Sequence, residues 1–310
     1  MTGNTPATCA TIGFFDGVHR GHQFVIGRLR DLAREAGLQS AVITFDRHPR
    51  QVVHPDYVPQ LITPTPEKLR LLARTGADRV EVLAFDTAMS QLTAREFMRR
   101  VLLGRFGVRR LLIGYDNRFG HNRAEGFAEY AAYGREMGIE VIENTPVDID
   151  GMRVSSSLVR RLIAGGDVAE AARCLGRAFC MEGRVEHGFQ EGRQLGFPTA
   201  NIAPACSEQI VPKTGVYAVR VSIGGGPWLP AMMNVGTNPT FGRDRLTLEA
   251  HIIGFDGDIY GRTVRTEYVC RMRDERRFDS IELLRRQLAT DREEAARILG
   301  GTQEEKQANP

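Results

Sequence analysis

The sequence predicts an α/β domain followed by a β domain. The first domain would contain a parallel sheet, and the second a small antiparallel β-barrel with a terminal helix. The chain has 310 residues, more than a single hydrophobic core usually serves. Strand-like and helix-like stretches alternate in the first half, whereas short strand-like stretches between Gly/Pro turns fill most of the second half.

The first half alternates strands and helices. An apolar, β-branched run at 7–15 precedes helical spacing over 21–36, and a second strand candidate covers 40–45. The stretch 46–66 contains five prolines and is predicted to be a long loop. The alternation resumes with helices at 67–74, 93–103 and 126–137 and strands at 79–83, 109–114 and 139–143. This order implies βαβ units and a parallel sheet, which binds ligands at the carboxyl ends of its strands.

Beyond about residue 175 the pattern changes to short strands. A helix at 156–163 precedes this change, and an amphipathic helix over 280–299, with Asp279 or Ser280 as its N-cap, follows the strands. The strand candidates suggest a small antiparallel barrel and cover 178–186, 199–202, 216–223, 229–235, 246–253 and 264–272. We therefore predict one domain over 1–176 and a second over 177–310.

Composition narrows the function classes. The formal net charge is +3, without the basic stripe or tail of a nucleic-acid-binding protein. The five cysteines are scattered without a C-x-x-C pair, which argues against a disulfide framework or a zinc site. No signal-peptide pattern opens the chain, and no apolar run reaches the roughly 20 residues that span a bilayer. We expect a cytoplasmic protein that binds neither nucleic acid nor membrane.

A cluster of glycines and histidines, G-F-F-D-G-V-H-R-G-H at 13–22, joins the first strand to the first helix. A helix N-terminus can hold phosphate because it offers free backbone N–H groups and the positive end of the helix dipole. His19 and His22 can each donate a hydrogen bond to a reacting phosphate, and Gly21 permits close approach. Metal-binding histidines are the rival interpretation, but no third ligand stands at a supporting distance.

A second candidate phosphate-binding segment covers 153–160, where three serines precede a predicted helix. Arg160 lies one turn further, on the same face as Ser156 or Ser157. A planar guanidinium can bind two phosphate oxygens at once. Taken alone, the segment is simply a serine N-cap with a solvated arginine.

The second half contains no G-x-x-x-x-G-K-[ST] motif, which excludes a conventional P-loop kinase. In the segment 192–201, the Thr199 hydroxyl and the Asn201 carbonyl are hard oxygen ligands that suit Mg²⁺. Without further information, this segment is simply a turn that enters a strand. Glu249, on a later strand, could point to solvent, which is the usual position of a strand glutamate.

The motifs of the first half resemble those of a known family. H-x-G-H after the first strand is a hallmark of the nucleotidyltransferase superfamily, and the string at 13–23 resembles that of bacterial FAD synthetases, the bifunctional riboflavin kinase/FMN adenylyltransferases. T-F-D-R-H-P at 44–49 resembles the family's TFDPHP segment, with Arg47 in place of the first proline. G-Y-D-N-R-F-G at 114–120 resembles its GxDFxFG segment, with Asn117 where an aromatic residue is common.

The second half resembles riboflavin kinases, whose signature is similar to G-F-P-T-A-N at 196–201. Further similar segments stand in family order at 215–217, 234–241, 248–251, 256–258 and 271–279. The resemblance covers nearly the whole chain. It implies a Rossmann-like FMN adenylyltransferase (nucleotidyltransferase) domain over 1–176 and a riboflavin kinase domain over 177–310.

The resemblance also implies the reactions. The C-terminal domain would phosphorylate riboflavin to FMN with ATP, and the N-terminal domain would adenylylate FMN to FAD with release of pyrophosphate. Riboflavin, FMN and ATP are the implied partners, Mg²⁺ is the implied cofactor, and FMN and FAD are product ligands. A homo-oligomer is left open.

Site residues are implied by the matching motifs. The implied catalytic residues are His19, His22, Arg160 and Glu249. The implied ATP- and phosphate-binding residues are Gly13, Phe14, Gly21, Ser155, Ser156, Ser157, Gly196, Pro198 and Thr199. The implied flavin-binding residues are Phe45, His48, Pro49, Asp116, Asn117 and Phe278. The implied Mg²⁺ ligands are Thr199 and Asn201.

Two alternatives stay open at this point. A nucleotidyltransferase with another acceptor, such as a cytidylyltransferase, explains H-x-G-H but leaves the second half unexplained. A catalytically inactive flavin-binding regulatory protein would retain flavin without consuming ATP. The intact set of candidate reactive residues argues against the second alternative.

Overall fold

The chain divides into two compact units, Met1–Ser156 and Ser157–Pro310. A computed structural model describes residues 6–114, 117–145, 148, 151–187, 195–240 and 243–307, with side chains described except at 238–240, 243–245 and 301–307. Residues 157–176, which the prediction assigned to the first domain, fall within the second unit. Where one functional domain ends and the next begins stays a prediction.

The first unit is an α/β unit. Its strands are β1 (Thr8–Ile12), β2 (Gln39–Phe45), β3 (Arg79–Leu83), β4 (Val108–Gly114) and β5 (Glu140–Asn144). Its helices are α1 (Arg20–Glu35), α2 (Pro49–Val53), α3 (Thr65–Ala73), α4 (Thr87–Ser90), α5 (Ala94–Glu96, π-helical Phe97–Leu103 and Gly104–Phe106) and α6 (Phe127–Met137).

The five strands form one sheet in the order β3-β2-β1-β4-β5, and every neighbouring pair is parallel. The predicted Rossmann-like parallel sheet is therefore confirmed. From β1 the chain goes to β2 on one side and later to β4 on the other. This change of direction places a topological switch point at β1, and ligands of such sheets bind outside the carboxyl ends of the strands there.

Alternating residues of the strands pack against helices on the two faces of this sheet. Cys9 belongs to a core cluster that includes apolar residues of α1 and α3, whereas its neighbour Ala10 belongs to a second cluster with residues of α5 and α6. Each face is thus covered, which explains why the inner strands β1, β2 and β4 are largely apolar.

The segment 46–66 differs from the predicted long loop because it contains α2. His48 is the N-cap of this short helix: its side chain accepts a hydrogen bond from the Arg50 N–H, and the Gln51 side chain accepts one from the His48 N–H. Pro49 occupies the first turn, where a missing N–H costs nothing. The prediction of a loop was wrong here, since prolines that break a helix interior also favour a helix start.

The second unit begins with two helices, α7 (Ser156–Gly165), whose first residue closes the first unit, and α8 (Val168–Leu175). Its strands are β6 (Phe179–Glu186), β7 (Ala200–Pro204), β8 (Gly215–Ile223), β9 (Trp228–Thr240), β10 (Arg243–Ile252) and β11 (Thr263–Arg273). They form a closed barrel in the order β10-β7-β6-β11-β8-β9 with antiparallel pairing, which confirms the prediction.

The chain closes with the predicted helix, α9 (Ile281–Gln307), which packs against β8, β9 and β11. The Ser280 hydroxyl accepts a hydrogen bond from the Leu283 N–H at 3.3 Å, as the prediction of an N-cap required. Asp291, on α9, is buried and forms an ion pair with Arg273 on β11 at 2.6 Å, so the helix is fixed to the barrel. Among the described residues, no helix combines the length and apolar character that a membrane span needs.

Candidate active sites

The turn between β1 and α1 carries the first site. Three of its residues have positive φ: Phe15 (55°), Gly17 (81°) and Val18 (40°). A β-branched residue such as valine rarely adopts this conformation, which costs on the order of 1–3 kcal/mol and persists only where the surroundings enforce it. Such outliers cluster at functional sites, and here they aim the chain from the central strand into α1.

Buried hydrogen bonds hold this turn in its strained conformation. The Asp16 carboxylate, 2% exposed, accepts hydrogen bonds at 3.0 Å from the N–H groups of Ile62 and Thr63. The Thr63 hydroxyl in turn accepts one from the Gly17 N–H at 3.0 Å. Removing either side chain would leave buried N–H groups unpaired, so we assign Asp16 and Thr63 to the support of the turn.

The two predicted catalytic histidines lie together at the start of α1. His19 is buried, and its Nδ1 accepts a hydrogen bond from the His22 N–H at 3.3 Å, which makes it the N-cap. Their rings stack with centroids 3.6 Å apart, and the His22 ring also meets the edge of Phe15 at 5.1 Å. The helix start, the dipole and both imidazoles therefore converge as the sequence predicted.

The His22 imidazole is neutral at neutral pH. Burial lowers the pKa of His22 well below its ordinary value of 6.5, and the neighbouring His19 lowers it further. Its Nδ1 is buried without a hydrogen-bond partner among the described residues. A neutral imidazole with an unpaired ring nitrogen offers one donor and one acceptor, which suits it to hydrogen-bond a ligand rather than to hold a positive charge.

The serine segment lies beside the turn. The Ser156 hydroxyl donates a hydrogen bond to the Asp16 carbonyl oxygen at 3.1 Å. A side chain at Gly21 would place its Cβ 3.1 Å from the His19 Nδ1 and 3.3 Å from the Val154 carbonyl oxygen, so glycine keeps this approach open. Ser155 is half-buried in the same stretch. The structure thus brings together the two segments that the sequence proposed as phosphate-binding.

Two other residues of the serine segment belong to the second unit. Ser157 is exposed and Arg160 half-buried, both in α7 of that unit. Their action on phosphate at the N-terminal site stays a prediction.

The ends of β1 and β2 carry a group of aromatic residues. The Phe14 ring meets the His48 ring at 4.8 Å, and Tyr57 lies 5.3 Å beyond His48. The Thr44 hydroxyl donates to the Phe14 carbonyl oxygen at 3.1 Å. Of the predicted flavin contacts, Phe45 is a core residue at 8% exposure, whereas Pro49 is half-buried beside His48.

Tyr57 was missed by the motif comparison. The only feature of the sequence that could have indicated it was an aromatic residue in a proline-rich stretch.

Gly13, half-buried, follows β1 directly, and a Cβ there would lie 3.2 Å from the Phe15 ring. Asn117, after β4, donates through Nδ2 to the Ile12 carbonyl oxygen, so it reaches the end of β1. Asp116 lies outside the described residues.

The second site lies on the wall of the barrel. Glu249 on β10 stands opposite Asn201 on β7 and Asn234 on β9 in the strand register. Residues directly opposite each other in antiparallel strands project from the same face, with Cβ atoms about 5 Å apart. All three side chains are half-buried, whereas their strand neighbours Leu248 and Ala250 are buried. Glu249 therefore shares its face with a predicted Mg²⁺ ligand.

A cavity of about 350 Å³ is lined on β7 and β10 by Ala200, Ala250 and Ile252, which alternate along the strands with Asn201 and Glu249. Pro198 and Thr199 line it together with the turn after β10, which contributes Asp256, Asp258 and Tyr260. This volume is typical of small-molecule sites. Gly196, with φ 84°, precedes the lining residues and adopts a conformation that favours glycine. Residues 192–194 of the predicted segment lie outside the described residues.

His251 supports this cavity and was not among the predicted site residues. Its Nδ1 lies 2.9 Å from the Pro198 carbonyl oxygen, and its ring meets the edge of Phe197 at 5.4 Å. Phe197 is buried in the core under α9. The segment therefore has a buried anchor at Phe197 and exposes the next residues to the cavity. The sequence feature that could have indicated His251 was its position two residues after Glu249.

Phe278, a predicted flavin contact, lies half-buried just before α9, with the Arg276 guanidinium 4.9 Å from its ring centre. In the neighbouring stretch, Glu275 accepts a hydrogen bond from the Asn234 side chain at 3.1 Å. The segment before α9 is thus tied to the strand that faces Glu249.

The fold and these two sites define a two-domain transferase that acts on phosphate groups. Residues 2–158 match the family model described as FAD synthetase, and residues 175–299 match the model described as riboflavin kinase. The chain belongs to the family of bifunctional riboflavin kinase/FMN adenylyltransferases, with the adenylyltransferase domain first and the kinase domain second. The resemblance found in the motifs is confirmed.

Relatives match along most of their length. The bifunctional riboflavin kinase/FMN adenylyltransferase of Pseudomonas fluorescens is 40% identical over 283 residues, covering 91% of this chain and 90% of the relative. That of Escherichia coli K12 is 37% identical over 292 residues, covering 94% and 93%. A crystal structure titled as a macrolide-efflux protein from Streptococcus pneumoniae is 33% identical, with a TM-score of 0.85 and 94% of each chain covered.

Proposed function

We propose that His19, His22, Ser155 and Ser156 bind the reacting phosphates in the first unit, and that Glu249 is the general base in the second. The observation that carries the first assignment is the hydrogen bond from Ser156 to the turn that bears both histidines. The second assignment is supported by the register that sets Glu249 opposite Asn201.

In adenylyl transfer, an oxygen of the FMN phosphate attacks the α-phosphorus of ATP, and the bond to the β-phosphate breaks to release pyrophosphate. No covalent enzyme intermediate is needed. The protein contributes position and charge stabilisation, for which free N–H groups at the start of α1 and a neutral His22 are suited. We assign Gly13, Phe14 and Gly21 to the same ATP-binding turn, and Ser157 and Arg160 to the phosphates.

In the kinase reaction, Glu249 accepts the proton of the riboflavin 5′-hydroxyl while that oxygen attacks the γ-phosphorus of ATP and ADP leaves. Gly196, Pro198 and Thr199 would hold the nucleotide at the cavity. On the flavin side, we assign Phe278 to this site, and His48, Pro49, Asp116 and Asn117 to the first one. The Phe45 side chain packs in the core, and a flavin contact by Phe45 stays a prediction.

Thr199 and Asn201 fit a Mg²⁺ ion. Both offer neutral oxygen donors, Thr199 borders the cavity, and Asn201 shares a face with the Glu249 carboxylate. When bound, Mg²⁺ neutralises charge on the phosphate oxygens. We further propose that the protein acts in the cytoplasm on riboflavin, FMN and ATP, without nucleic acid or membrane. A homo-oligomer stays a prediction.

A time course with riboflavin, ATP and Mg²⁺ tests this proposal, with flavins separated by chromatography. FMN should appear first and FAD second, and FMN supplied directly should yield FAD and pyrophosphate in equal amounts. Chelation of the divalent ion should stop both steps. Retained flavin without ATP consumption would instead support the regulatory alternative.

A further inference from the structure

Lys68 on α3 is one of three lysines in the chain, and its side chain is completely buried. Lysine is almost never fully buried unless its charge has partners. Its Nζ donates a hydrogen bond to the Phe45 carbonyl oxygen at 2.8 Å and lies 3.9 Å from the centre of the Phe14 ring. One ammonium thus connects α3 to the ends of β1 and β2.

Two carboxylates act on this ammonium. Asp16 lies in the strained turn and Asp46 directly after β2, and both favour the charged form. Both are themselves fixed by backbone N–H donors, Asp16 by Ile62 and Asp46 by Phe85 at 2.9 Å. The charge is therefore held in a rigid frame at the edge of the sheet where the first site lies.

We propose that Lys68 is a positioning residue for adenylyl transfer and acts through the Phe14 ring. Phe14 is half-buried, contacts His48 and directly precedes the strained turn that leads to His19 and His22. The Thr44 hydroxyl fixes the backbone of Phe14, whereas the Lys68 ammonium contacts the Phe14 ring. The inference rests on the proposed function of this turn.

The contact depends on charge, because a neutral amine attracts the ring quadrupole far less than an ammonium does. Burial lowers the pKa of Lys68 to about 8, against the opposing effect of Asp16 and Asp46. A second ionisable side chain, that of His48 at the N-cap of α2, also contacts the Phe14 ring. Lys68 is hence charged below about pH 8 and neutral above it. The ammonium therefore holds the Phe14 ring only below about pH 8.

Lys68→Met removes the charge and keeps the chain length, whereas Lys68→Arg keeps the charge at all working pH values. We expect kcat/KM for FMN adenylylation to fall about tenfold or more in Lys68→Met, mainly through KM. Riboflavin phosphorylation by the same chain should stay within about twofold, which reports that the protein is folded. Lys68→Arg should retain most of the adenylylation.

The pH profile separates positioning from simple packing. The ratio of wild-type to Lys68→Arg activity should fall as pH rises through about 8, and Lys68→Met should lack this inflection. Leu72→Ala, a buried change on the same helix, is the matched control for lost packing. It should lower thermal stability without the KM effect or a changed pH profile.

A double variant tests the route through Phe14. If Lys68 acts by way of the ring, Lys68→Met should add little to the loss already caused by Phe14→Leu. Full adenylylation by Lys68→Met, losses that add independently of Phe14, or the same KM rise in Leu72→Ala would overturn the inference. A wild-type chain that phosphorylates riboflavin but never forms FAD would overturn the proposed function instead.

Discussion

In the first unit the candidate reactive histidines directly follow a turn with strained backbone, whereas in the second Glu249 and Asn201 sit on regular strands. Phe15 and Val18 have positive φ, and the turn keeps this shape through the buried Asp16 carboxylate. Glu249, by contrast, owes its position to the register of β10 with β7 and β9. The two units place phosphate-handling groups by opposite means.

This difference indicates which substitutions should disturb each site. A site built by backbone strain depends on distant supports, since the local conformation is unfavourable by itself. A site built by strand register is held by many ladder hydrogen bonds, so a single side chain can be changed without moving its neighbours. Substitutions should therefore separate the two activities.

The largest expected effect is that of Glu249→Gln. Loss of the general base should lower riboflavin phosphorylation by roughly a thousandfold, while adenylylation of supplied FMN stays unchanged. Both rates can be measured by chromatography of the flavins. Glu267→Gln is the matched control, because Glu267 is also a half-buried barrel glutamate, on β11. A parallel fall in both activities would mean that the barrel had unfolded.

His22→Ala should affect the other activity. We expect adenylylation to fall at least roughly a hundredfold, which is typical of losing a hydrogen-bond donor to developing charge, and phosphorylation to persist. His121→Ala, at an exposed 3-10 helical position of the same unit, should be silent. Near-normal FAD formation by His22→Ala would remove this histidine from the mechanism.

His251→Ala tests whether this histidine holds the wall of the barrel cavity in place. The lost contact with the Pro198 carbonyl should loosen the cavity wall, raising the KM for ATP in the kinase reaction about tenfold with little change in kcat. Steady-state kinetics with ATP as the varied substrate can separate the two parameters. A fall confined to kcat would show that the wall is rigid without His251.

The smallest expected effect is on stability at low pH. Because the folded state holds the pKa of His22 below 6.5, the unfolded chain binds more protons, and stability falls as pH drops below 6.5. The loss is at most about 1.4 kcal/mol per pH unit. Urea unfolding at pH 7.5 and 5.5 should show a shallower pH dependence in His22→Gln. An unchanged dependence would contradict the neutral imidazole.

Local patterns in the sequence were sufficient for most of the architecture. The apolar runs and helical spacing identified the parallel sheet, the barrel strands and α9, and the motifs identified the family. The spacing did not reveal α2, α4 or α8, which are short and get much of their stability from tertiary contacts and caps.

Long-range contacts account for what the sequence left out. Asp16 meets Ile62 across 46 residues, and His251 meets Pro198 across 53. Lys68 is similar: a helix pattern predicts α3 but does not indicate that one of its lysines contacts Phe14. Such supports have no sequence period, so only the folded chain shows them.

The closure of the barrel also has a consequence for aggregation. A closed barrel leaves no strand edge to which another chain could add, but the parallel sheet ends in β3 and β5. These outer strands carry charge: Glu81 pairs with Arg79 at 2.7 Å, and Glu140 pairs with Arg110 at 2.7 Å. Intermolecular strand addition would have to desolvate these ion pairs. The charged outer strands therefore protect the first unit from aggregation, whereas the second unit is protected by the closure of its barrel.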